Sequence, residues 1–400
     1  MDGGLTRREA LRLGALAAGT LAAGGLVGCG ERRGLGAAGS ENLTRTASLT
    51  PTEKTAGGPG AGSDSIAPVV DRLAVWAVVD NAYNTLVKSA KVGSVDVQRA
   101  GVGLGRMLRK QLQSEWGLGL HLESRRGDET RRYLLDFGLT PTAELNNLDF
   151  LKIDPSRVDA LILSHGHYDH FGGLVPLLER RRDRMRRNLP LYVGGEDTFC
   201  YRWIDAPGSE PQSYGVLDRR DLDDEDVQVI LAEKPATIAG QAFTTGAVPR
   251  TTFEKVLPAA KVELGMRKGA GCDASHFTSE EQAGQIVPDQ FWYEHATCFN
   301  VKDRGLVVIS SCGHAGIVNT VKHAQAVSGV QKIHAIIGGV HLAAAPEPYV
   351  AQVVDALKQL DPDYLIPMHC SGELFSRLAQ QAMPGKVITN YTGTRYLFGA

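Results

Sequence analysis

Residues 164–173 read SHGHYDHFGG, and three histidines and one aspartate fall within the six positions from His165 to His170. The whole chain of 400 residues contains only 11 histidines, so this crowding is unusual. Neighbouring imidazoles gain little by packing against one another, whereas imidazole and carboxylate groups are common ligands of transition metals. The segment is therefore predicted to bind metal.

On both sides of this segment, short apolar runs closed by Gly, Asn or Ser predict buried strands. The runs are RLAVWAVVDN (72–81), YLLDFG (133–138), VDALILSHGH (158–167), LPLYVGG (189–195), GLVVISSCGH (305–314), IHAIIGGVHL (333–342) and YLIPMHCSG (364–372). Helix-length stretches such as AGIVNTVKHAQAVSG and PEPYVAQVVDALKQL separate several of them. Strands that alternate with helices predict an α/β domain whose helices cover the sheet faces.

Four of these predicted strands end next to a histidine. The residues in this position are His165 with His167, His314, His341 and His369. Because ligands of α/β sheets gather at the carboxyl ends of strands, these histidines are expected to meet at one site. The histidines that lack this position, and are interpreted as structural, are His121, His276, His323 and His334. His295, which follows Glu294, is open to either interpretation.

The spacing of the motif predicts two metal ions. Histidines at i and i+2 of a turn can direct both rings at one ion, while the following Asp and His face a second ion. Imidazole and carboxylate ligands suit Zn²⁺, or alternatively Fe or Mn, better than Mg²⁺ or Ca²⁺. The six cysteines include no CxxC pair, so no separate thiolate site is predicted.

The overall composition argues against a nucleic-acid-binding protein. The chain has 43 basic and 45 acidic residues, without the basic surplus of a nucleic-acid-binding protein. Its hydrophobic fraction of 43% is ordinary for a globular protein, and its length allows a sizeable core.

The first 28 residues are predicted to be an export signal. Arg7 and Arg8 precede an apolar Leu/Ala/Gly stretch that carries no charge after Arg12. This order is typical of secretory signals, and the adjacent arginines indicate the twin-arginine type. LVGC at 26–29 resembles the lipobox of bacterial lipoproteins, so Cys29 is predicted to be lipidated. The alternative, an ordinary membrane anchor, fits less well because the apolar stretch is short and rich in Gly and Ala.

The remaining chain divides at about residue 65. Residues 29–65 are rich in Gly, Ala, Ser and Thr and are expected to be a flexible linker. Residues 66–400 are expected to form one domain. We therefore expect an exported protein of the periplasm or cell envelope, in contact with the membrane only through a lipid at Cys29.

The motifs together resemble the metallo-β-lactamase superfamily. SHGHYDHFGG contains its HxHxDH signature, YLLDFG resembles the strand that ends in an Asp before the metal loop, and LIPMHC resembles the last metal-ligand strand. Within the superfamily, the chain is similar over most of residues 70–395 to the branch of dihydropterin ribofuranosylaminobenzene phosphate synthases. The resemblance implies a four-layer αββα sandwich with metals at one edge between the sheets.

The resemblance also suggests a role for each candidate residue. The first metal is assigned to His165, His167 and His314, and the second to Asp169, His170 and His369. Asp169 is also counted as catalytic, and His341 is expected to stabilise an oxyanion or protonate a leaving group rather than bind metal. Asp136 is either a partner that orients a ligand histidine or a simple turn residue.

Two positions depart from the superfamily pattern. TTGAVPRTTFE (244–254) lacks the usual Gly-His turn, so His314 is expected to supply the missing imidazole. Cys312 stands where a bridging Asp is usual, and it either bridges the ions as a thiolate or simply packs.

These assignments predict a metal-dependent hydrolase. Two cations lower the pKa of a shared water from ~15.7 toward ~7 and so supply a hydroxide nucleophile. A small ester, phosphoester or lactone is the expected substrate. The alternatives are a pterin-precursor synthase, as in the similar branch, and a metal-containing binding protein without turnover.

Overall fold

The seven apolar runs form strands of two large β-sheets, as predicted. The computed structural model describes residues 66–100, 110–205, 210–257, 260–279, 282 and 286–399. The chain divides into two units, and these residues all lie in the second, Gly62–Ala400. The predicted signal peptide (1–28), Cys29 and the predicted linker (29–65) lie outside the described residues.

The strands are numbered here in chain order. Their bounds are β1 Val69–Val70, β2 Arg72–Val79, β3 Ala90–Val92, β4 Val95–Gln98, β5 Gly119–Arg126, β6 Glu129–Phe137, β7 Ala160–Leu163, β8 Leu189–Val193, β9 Tyr201–Ile204, β10 Gln212–Ser213, β11 Val227–Leu231, β12 Ala236–Ile238, β13 Ala242–Thr244, β14 Lys261–Glu263, β15 Met266–Arg267, β16 Ala270–Gly271, β17 Ile286–Pro288, β18 Thr297–Val301, β19 Gly305–Ser310, β20 Ile333–Gly338, β21 Tyr364–Pro367 and β22 Arg395–Phe398.

The helices are also numbered in chain order. Their bounds are α1 Pro141–Leu151, α2 Tyr168–Phe171, α3 Leu174–Arg181, α4 Arg219–Asp224, α5 Ile317–Ser328, α6 Glu347–Leu360 and α7 Glu373–Ala382.

The first large sheet has the strand order β11-β8-β7-β6-β5-β2-β22-β4-β3. The second has the order β12-β13-β18-β19-β20-β21, with β1 paired beside β18. β6, β7 and β8 are parallel, and so are β19, β20 and β21. A small sheet, β10-β9-β14-β17, and the hairpin β15-β16 complete the described sheets.

Three apolar cores give the order of the layers. Successive side chains of a strand point to opposite faces, so Ile162 of β7 and Val307 of β19 share the core between the sheets. Leu161 shares an outer core with α1 and α3. Val308 shares the other outer core with α5, α6 and α7. The order is helix, sheet, sheet, helix, which confirms the predicted αββα sandwich.

The described residues contain one disulfide, between Cys200 and Cys272, and three free buried cysteines, Cys298, Cys312 and Cys370. The disulfide joins the turn before β9 to the loop after β16. No helix in the described part of the chain is long and apolar enough to cross a bilayer.

Candidate metal centre

The strands that end in histidines bring those residues together at one edge of the sandwich. His165 and His167 follow β7 of the first sheet, whereas His314, His341 and His369 follow β19, β20 and β21 of the second. Ring centroids of His165 and His314 lie 5.0 Å apart, and those of His170 and His369 lie 4.9 Å apart. The site therefore spans both sheets.

The loop after β7 is held tightly by its surroundings. A Cβ at Gly166 would lie 2.2 Å from Nη1 of Arg202 and 2.3 Å from the Thr198 carbonyl oxygen, so no side chain fits there. Arg202 is itself buried and pairs with Asp289 at 2.8 Å. This packing fixes the backbone between His165 and His167.

The first group of candidate ligands is His165, His167 and His314. One ring nitrogen from each residue lies within 4.8 Å of the others. Nε2 of His165, Nε2 of His167 and both ring nitrogens of His314 are buried and have no hydrogen-bond partner among the described residues. Buried polar atoms are normally paired, so converging unpaired nitrogens fit a metal ion.

The second group is Asp169, His170 and His369. Oδ2 of Asp169 lies 3.2 Å from Nε2 of His369, and Oδ1 lies 3.9 Å from Nε2 of His170. Two N or O ligands at ~2.0–2.1 Å from a tetrahedral zinc ion are roughly 3.3 Å apart. The first separation matches this value and the second exceeds it, so the group fits a metal ion with a small rearrangement.

Cys312 lies between the two groups. Its Sγ is 3.3 Å from Nε2 of His170, and it falls in one cluster with His165 and His170 and in another with His314 and His341. The thiol thus occupies a position from which it can contact either ion. It is buried, at 2% exposure.

Asp136 orients two of the candidate ligands. Its Oδ2 lies 2.7 Å from Nδ1 of His170 and also accepts a hydrogen bond from the Ser164 hydroxyl, which lies 2.9 Å from Nδ1 of His165. Both rings therefore direct Nε2 into the site. Asp136 has φ 57°, an unusual backbone angle for a residue with a side chain, and such strain is typical of functional sites.

Asp80 and Asn81, directly after β2, position His369 in the same way. The carboxylate of Asp80 accepts the backbone N–H of His369 at 2.8 Å. The amide of Asn81 donates to the His369 carbonyl at 2.8 Å, and its oxygen lies 3.3 Å from Nδ1 of the ring. These contacts hold Nε2 of His369 toward Asp169.

Burial and charge set the protonation of the ligands. Burial lowers the pKa of His165, His167 and His314 well below the ordinary value, which keeps them neutral and able to bind metal. Burial also opposes the charge on His170, but Asp169 and Asp136 outweigh it and raise its pKa to about 9. Metal binding at His170 must therefore release a proton near neutral pH.

His341 lies closer to the ligands than the sequence indicated. Its ring centroid is 4.0 Å from that of His314, and it shares a possible ligand cluster with Cys312 and His314. Its Nδ1 is buried and has no hydrogen-bond partner within the described chain. Its φ of 47° is, like that of Asp136, in the left-handed region.

A cavity of about 820 Å³ opens beside His369. Trp116, which is 49% exposed, stands at its wall with its ring 4.9 Å from that of His369. Other residues of the wall are Asn81, Arg377, Gln380, Asn390 and Tyr391. Two cavities of about 710 and 650 Å³ lie around Arg72, Arg125 and Arg304, but no histidine or cysteine lines them. A further cavity beside His314 and His341 has a volume of only about 10 Å³. The metal-binding chemistry and the available space therefore favour the cavity at His369.

The structure brings together all the ligand residues that the sequence assigned, and it leaves the other histidines outside. His295 is held in the core by Thr244 and the Leu163 carbonyl, at 2.7 and 3.0 Å. The four histidines that were interpreted as structural each contact a residue away from the site. The pairs are His121 with Trp76, His276 with Glu233, His323 with Thr245 and His334 with Asp363.

Sequence reasoning missed several residues of the site. Asp80 and Asn81 close the predicted strand run 72–81, and Cys370 follows a predicted ligand. The reasoning from strand ends that found the histidines would therefore have found all three. No comparable pattern marks Tyr214, whose hydroxyl hydrogen-bonds to Asp169, or Phe291, which stacks on His314 with centroids 3.7 Å apart.

Comparison with known proteins agrees with this fold. Residues 125–249, which include the HxHxDH motif, match the family model of the metallo-beta-lactamase superfamily. A solved structure described as a metal-dependent hydrolase of the beta-lactamase superfamily superposes with a TM-score of 0.58 and 20% identity, covering 81% of this chain and 98% of that one. The chain has the metallo-β-lactamase fold.

Curated relatives of this metallo-β-lactamase-fold protein occur in Methanocaldococcus jannaschii. One is named 7,8-dihydropterin-6-methyl-4-(beta-D-ribofuranosyl)-aminobenzene-5'-phosphate synthase and is 28% identical over 65% of this chain and 82% of its own length. An uncharacterized protein is 25% identical over 62% of this chain and 83% of its own length. The metallo-β-lactamase fold implies binding of divalent metal, and the candidate ligands described above fit that role.

Proposed function

We propose that this protein is a hydrolase that uses two divalent metal ions, Zn²⁺ foremost, to cleave a small ester, phosphoester or lactone. The observation that carries the proposal is the pair of ligand groups that flank Cys312 beside an open cavity. When bound, such ions supply a water of lowered pKa and polarise the bond under attack. The chain then has no need of a Ser or Cys nucleophile.

The residues of the chain divide the remaining work. The two ligand groups hold the ions, and Asp136, Asp80 and Asn81 keep the ligand rings oriented. His341, with its unpaired Nδ1, is placed to give a proton to the leaving group or to stabilise the oxyanion. Trp116 offers an exposed aromatic face to a substrate in the adjoining cavity.

A panel of generic substrates tests the proposal. Purified protein reconstituted with Zn²⁺, Mn²⁺ or Fe²⁺ is assayed with bis-nitrophenyl phosphate, nitrophenyl esters and simple lactones. We expect hydrolysis of at least one class, its loss on chelation and its return on metal addition, with about two ions bound per chain. Protein that binds metal fully but hydrolyses none of these classes contradicts the proposal, and it leaves a synthase or a binding protein as the remaining candidates.

The similarity to the dihydropterin synthase supports a second candidate. Incubation with a dihydropterin and ribofuranosylaminobenzene phosphate tests it directly, because a coupled product would favour the synthase. The export signal predicted at residues 1–28 argues against this activity, since pterin precursors are made in the cytoplasm.

We further propose that the protein is exported by the twin-arginine route and is anchored in the cell envelope by lipid at Cys29. The motif at Arg7 and Arg8 supports export, and so does the Cys200–Cys272 disulfide, because such bonds persist mainly in oxidising compartments. Replacing both arginines by lysine is expected to leave the precursor in the cytoplasm. An unmodified Cys29 in mass spectra of envelope fractions would contradict the lipid anchor.

A further inference from the structure

We propose that Cys370 is a thiolate ligand of the metal centre, so that Cys312 and Cys370 join His369 in holding one of the two ions. The candidate ligand atoms of these three buried residues lie within 4.8 Å of one another. The inference rests on the metal centre proposed above, because it concerns how that centre is completed. It adds a second sulfur to a site in which only Cys312 stood out from the sequence.

The separation of the two sulfur atoms fits a shared metal ion. Sγ of Cys370 lies 3.4 Å from Sγ of Cys312. Two thiolates at ~2.3 Å from a tetrahedral zinc ion are roughly 3.8 Å apart, whereas disulfide sulfurs are about 2.05 Å apart. Cys200 and Cys272 are disulfide-bonded in the same chain, but Cys312 and Cys370 are not. The observed separation is therefore about 0.4 Å short of the value for a shared zinc ion and well beyond that of a disulfide.

The surroundings of Cys370 are built to hold a sulfur at this position. The backbone N–H of His341 points at Sγ of Cys370 with an N-to-S distance of 3.3 Å, so it can stabilise negative charge on the sulfur. A Cβ at Gly339 would come within 2.7 Å of the same sulfur and 2.3 Å of the Ser311 carbonyl oxygen. The absence of a side chain at Gly339 thus leaves room for Cys370 beside Cys312.

Cys298 provides the contrast within the same molecule. It is also buried and free, but it lies within β18 and belongs to none of the candidate ligand clusters found among the described residues. Burial of a cysteine alone therefore does not distinguish Cys370. What distinguishes Cys370 is that its sulfur lies close to the candidate ligand atoms of His369 and Cys312.

A metal centre with two thiolate ligands is softer than a centre whose ligands are only His and Asp. Thiolate ligands favour Zn²⁺ and related soft ions, whereas Mn²⁺ and Mg²⁺ prefer oxygen ligands. We therefore expect the wild type to retain Zn²⁺ or Cd²⁺ against an excess of Mn²⁺. Loss of Cys370 should weaken this preference by about tenfold or more, which corresponds to about 1.4 kcal/mol or more of differential binding.

Cobalt substitution tests the proposal without measuring turnover. Thiolate ligands give Co²⁺ a charge-transfer absorption in the near ultraviolet whose intensity rises with the number of Co–S bonds. The variants are Cys370→Ser, Cys312→Ser and the double variant, with Cys298→Ala as the matched control and circular dichroism to confirm folding. We expect a clear reduction in each single variant, no band in the double variant and the full band in Cys298→Ala.

The outcomes separate this inference from the metal centre itself. A full band in Cys370→Ser, with loss only in Cys312→Ser, overturns the proposal and makes Cys370 a residue that merely positions Cys312. Failure of the wild type to bind Co²⁺ or Zn²⁺ overturns the metal centre and this inference with it. Cadmium NMR of the wild type needs no variant: one ion with two sulfur ligands supports the proposal, and at most one sulfur on every ion overturns it.

Discussion

Replacing Asp136 by Asn tests whether the metal centre depends on a residue that does not touch the metal. Asp136 accepts hydrogen bonds from the backbone N–H and the hydroxyl of Ser164, each at 2.9 Å, and lies 2.7 Å from Nδ1 of His170. Asn keeps the shape of the side chain, but it removes the negative charge and one of the two acceptor oxygens. The ring of His170 then loses its fixed orientation.

The magnitude follows from the contact that is lost. A buried hydrogen bond to a charged group contributes about 1.5–3 kcal/mol, which corresponds to roughly a 10- to 150-fold change in an equilibrium constant. Partners that orient ligands typically change metal affinity by about 10- to 100-fold. Because His165 is also linked to Asp136 through Ser164, both ions should bind more weakly.

Competition with a chromophoric chelator measures the affinity for each Zn²⁺. The matched control is Asp128→Asn, the same chemical change at a fully exposed turn far from the site. We expect the loss for Asp136→Asn and none for the control. An affinity within twofold of the wild type would refute the role of Asp136, provided that circular dichroism shows both variants folded.

Three further predictions follow from the structure. The His369→Ala variant should lose part of its bound metal along with activity, whereas the His341→Ala variant should keep its metal and turn over ~10²-fold more slowly. Metal analysis and kinetics of both variants test this difference. Loss of metal from the His341→Ala variant would show that His341 is a ligand instead. Burial raises the pKa of the Glu144 carboxyl from 4.5 to about 8. The free-energy cost of burying its charged form is therefore absent below about pH 4.5 and grows as pH rises toward 8. Glu144→Gln should therefore raise the free energy of unfolding by roughly 2–4 kcal/mol more at about pH 8 than at about pH 5, and an equal effect at both values in denaturant titrations would contradict this reasoning. The Cys200–Cys272 disulfide closes a separation of 72 residues, so Cys200→Ala with Cys272→Ala should lower the free energy of unfolding by about 4 kcal/mol in denaturant titrations, and a reductant should destabilise the wild type but not the variant.

Much of the fold could be predicted from the sequence because its strands are contiguous and apolar. A run such as GLVVIS alternates between two cores, with Val307 facing the other sheet and Val308 facing the helices. This periodicity is a local property, so it can be read from neighbouring residues. The HxHxDH motif was equally visible, because its four ligand side chains lie within six positions.

The candidate site was predicted only where its residues lie at the carboxyl end of a predicted strand. His314 and His369 were found in this way, and both lie beside the motif in the structure. His341 was placed at the right edge, but its distance from Cys312 depends on how β19 and β20 pair, which no local pattern specifies.

The sequence by itself determined seven strands of the two large sheets, the metal-binding motif and the edge of the sheets where its ligands gather, because each is encoded in a short stretch of neighbouring residues. Tertiary structure alone decided which distant groups complete the site. Asp80 reaches His369 across 289 residues, Cys370 reaches Cys312 across 58, and Cys200 pairs with Cys272 across 72. These contacts depend on strand order, register and the packing of one sheet on the other, and such long-range geometry leaves no pattern in adjacent residues.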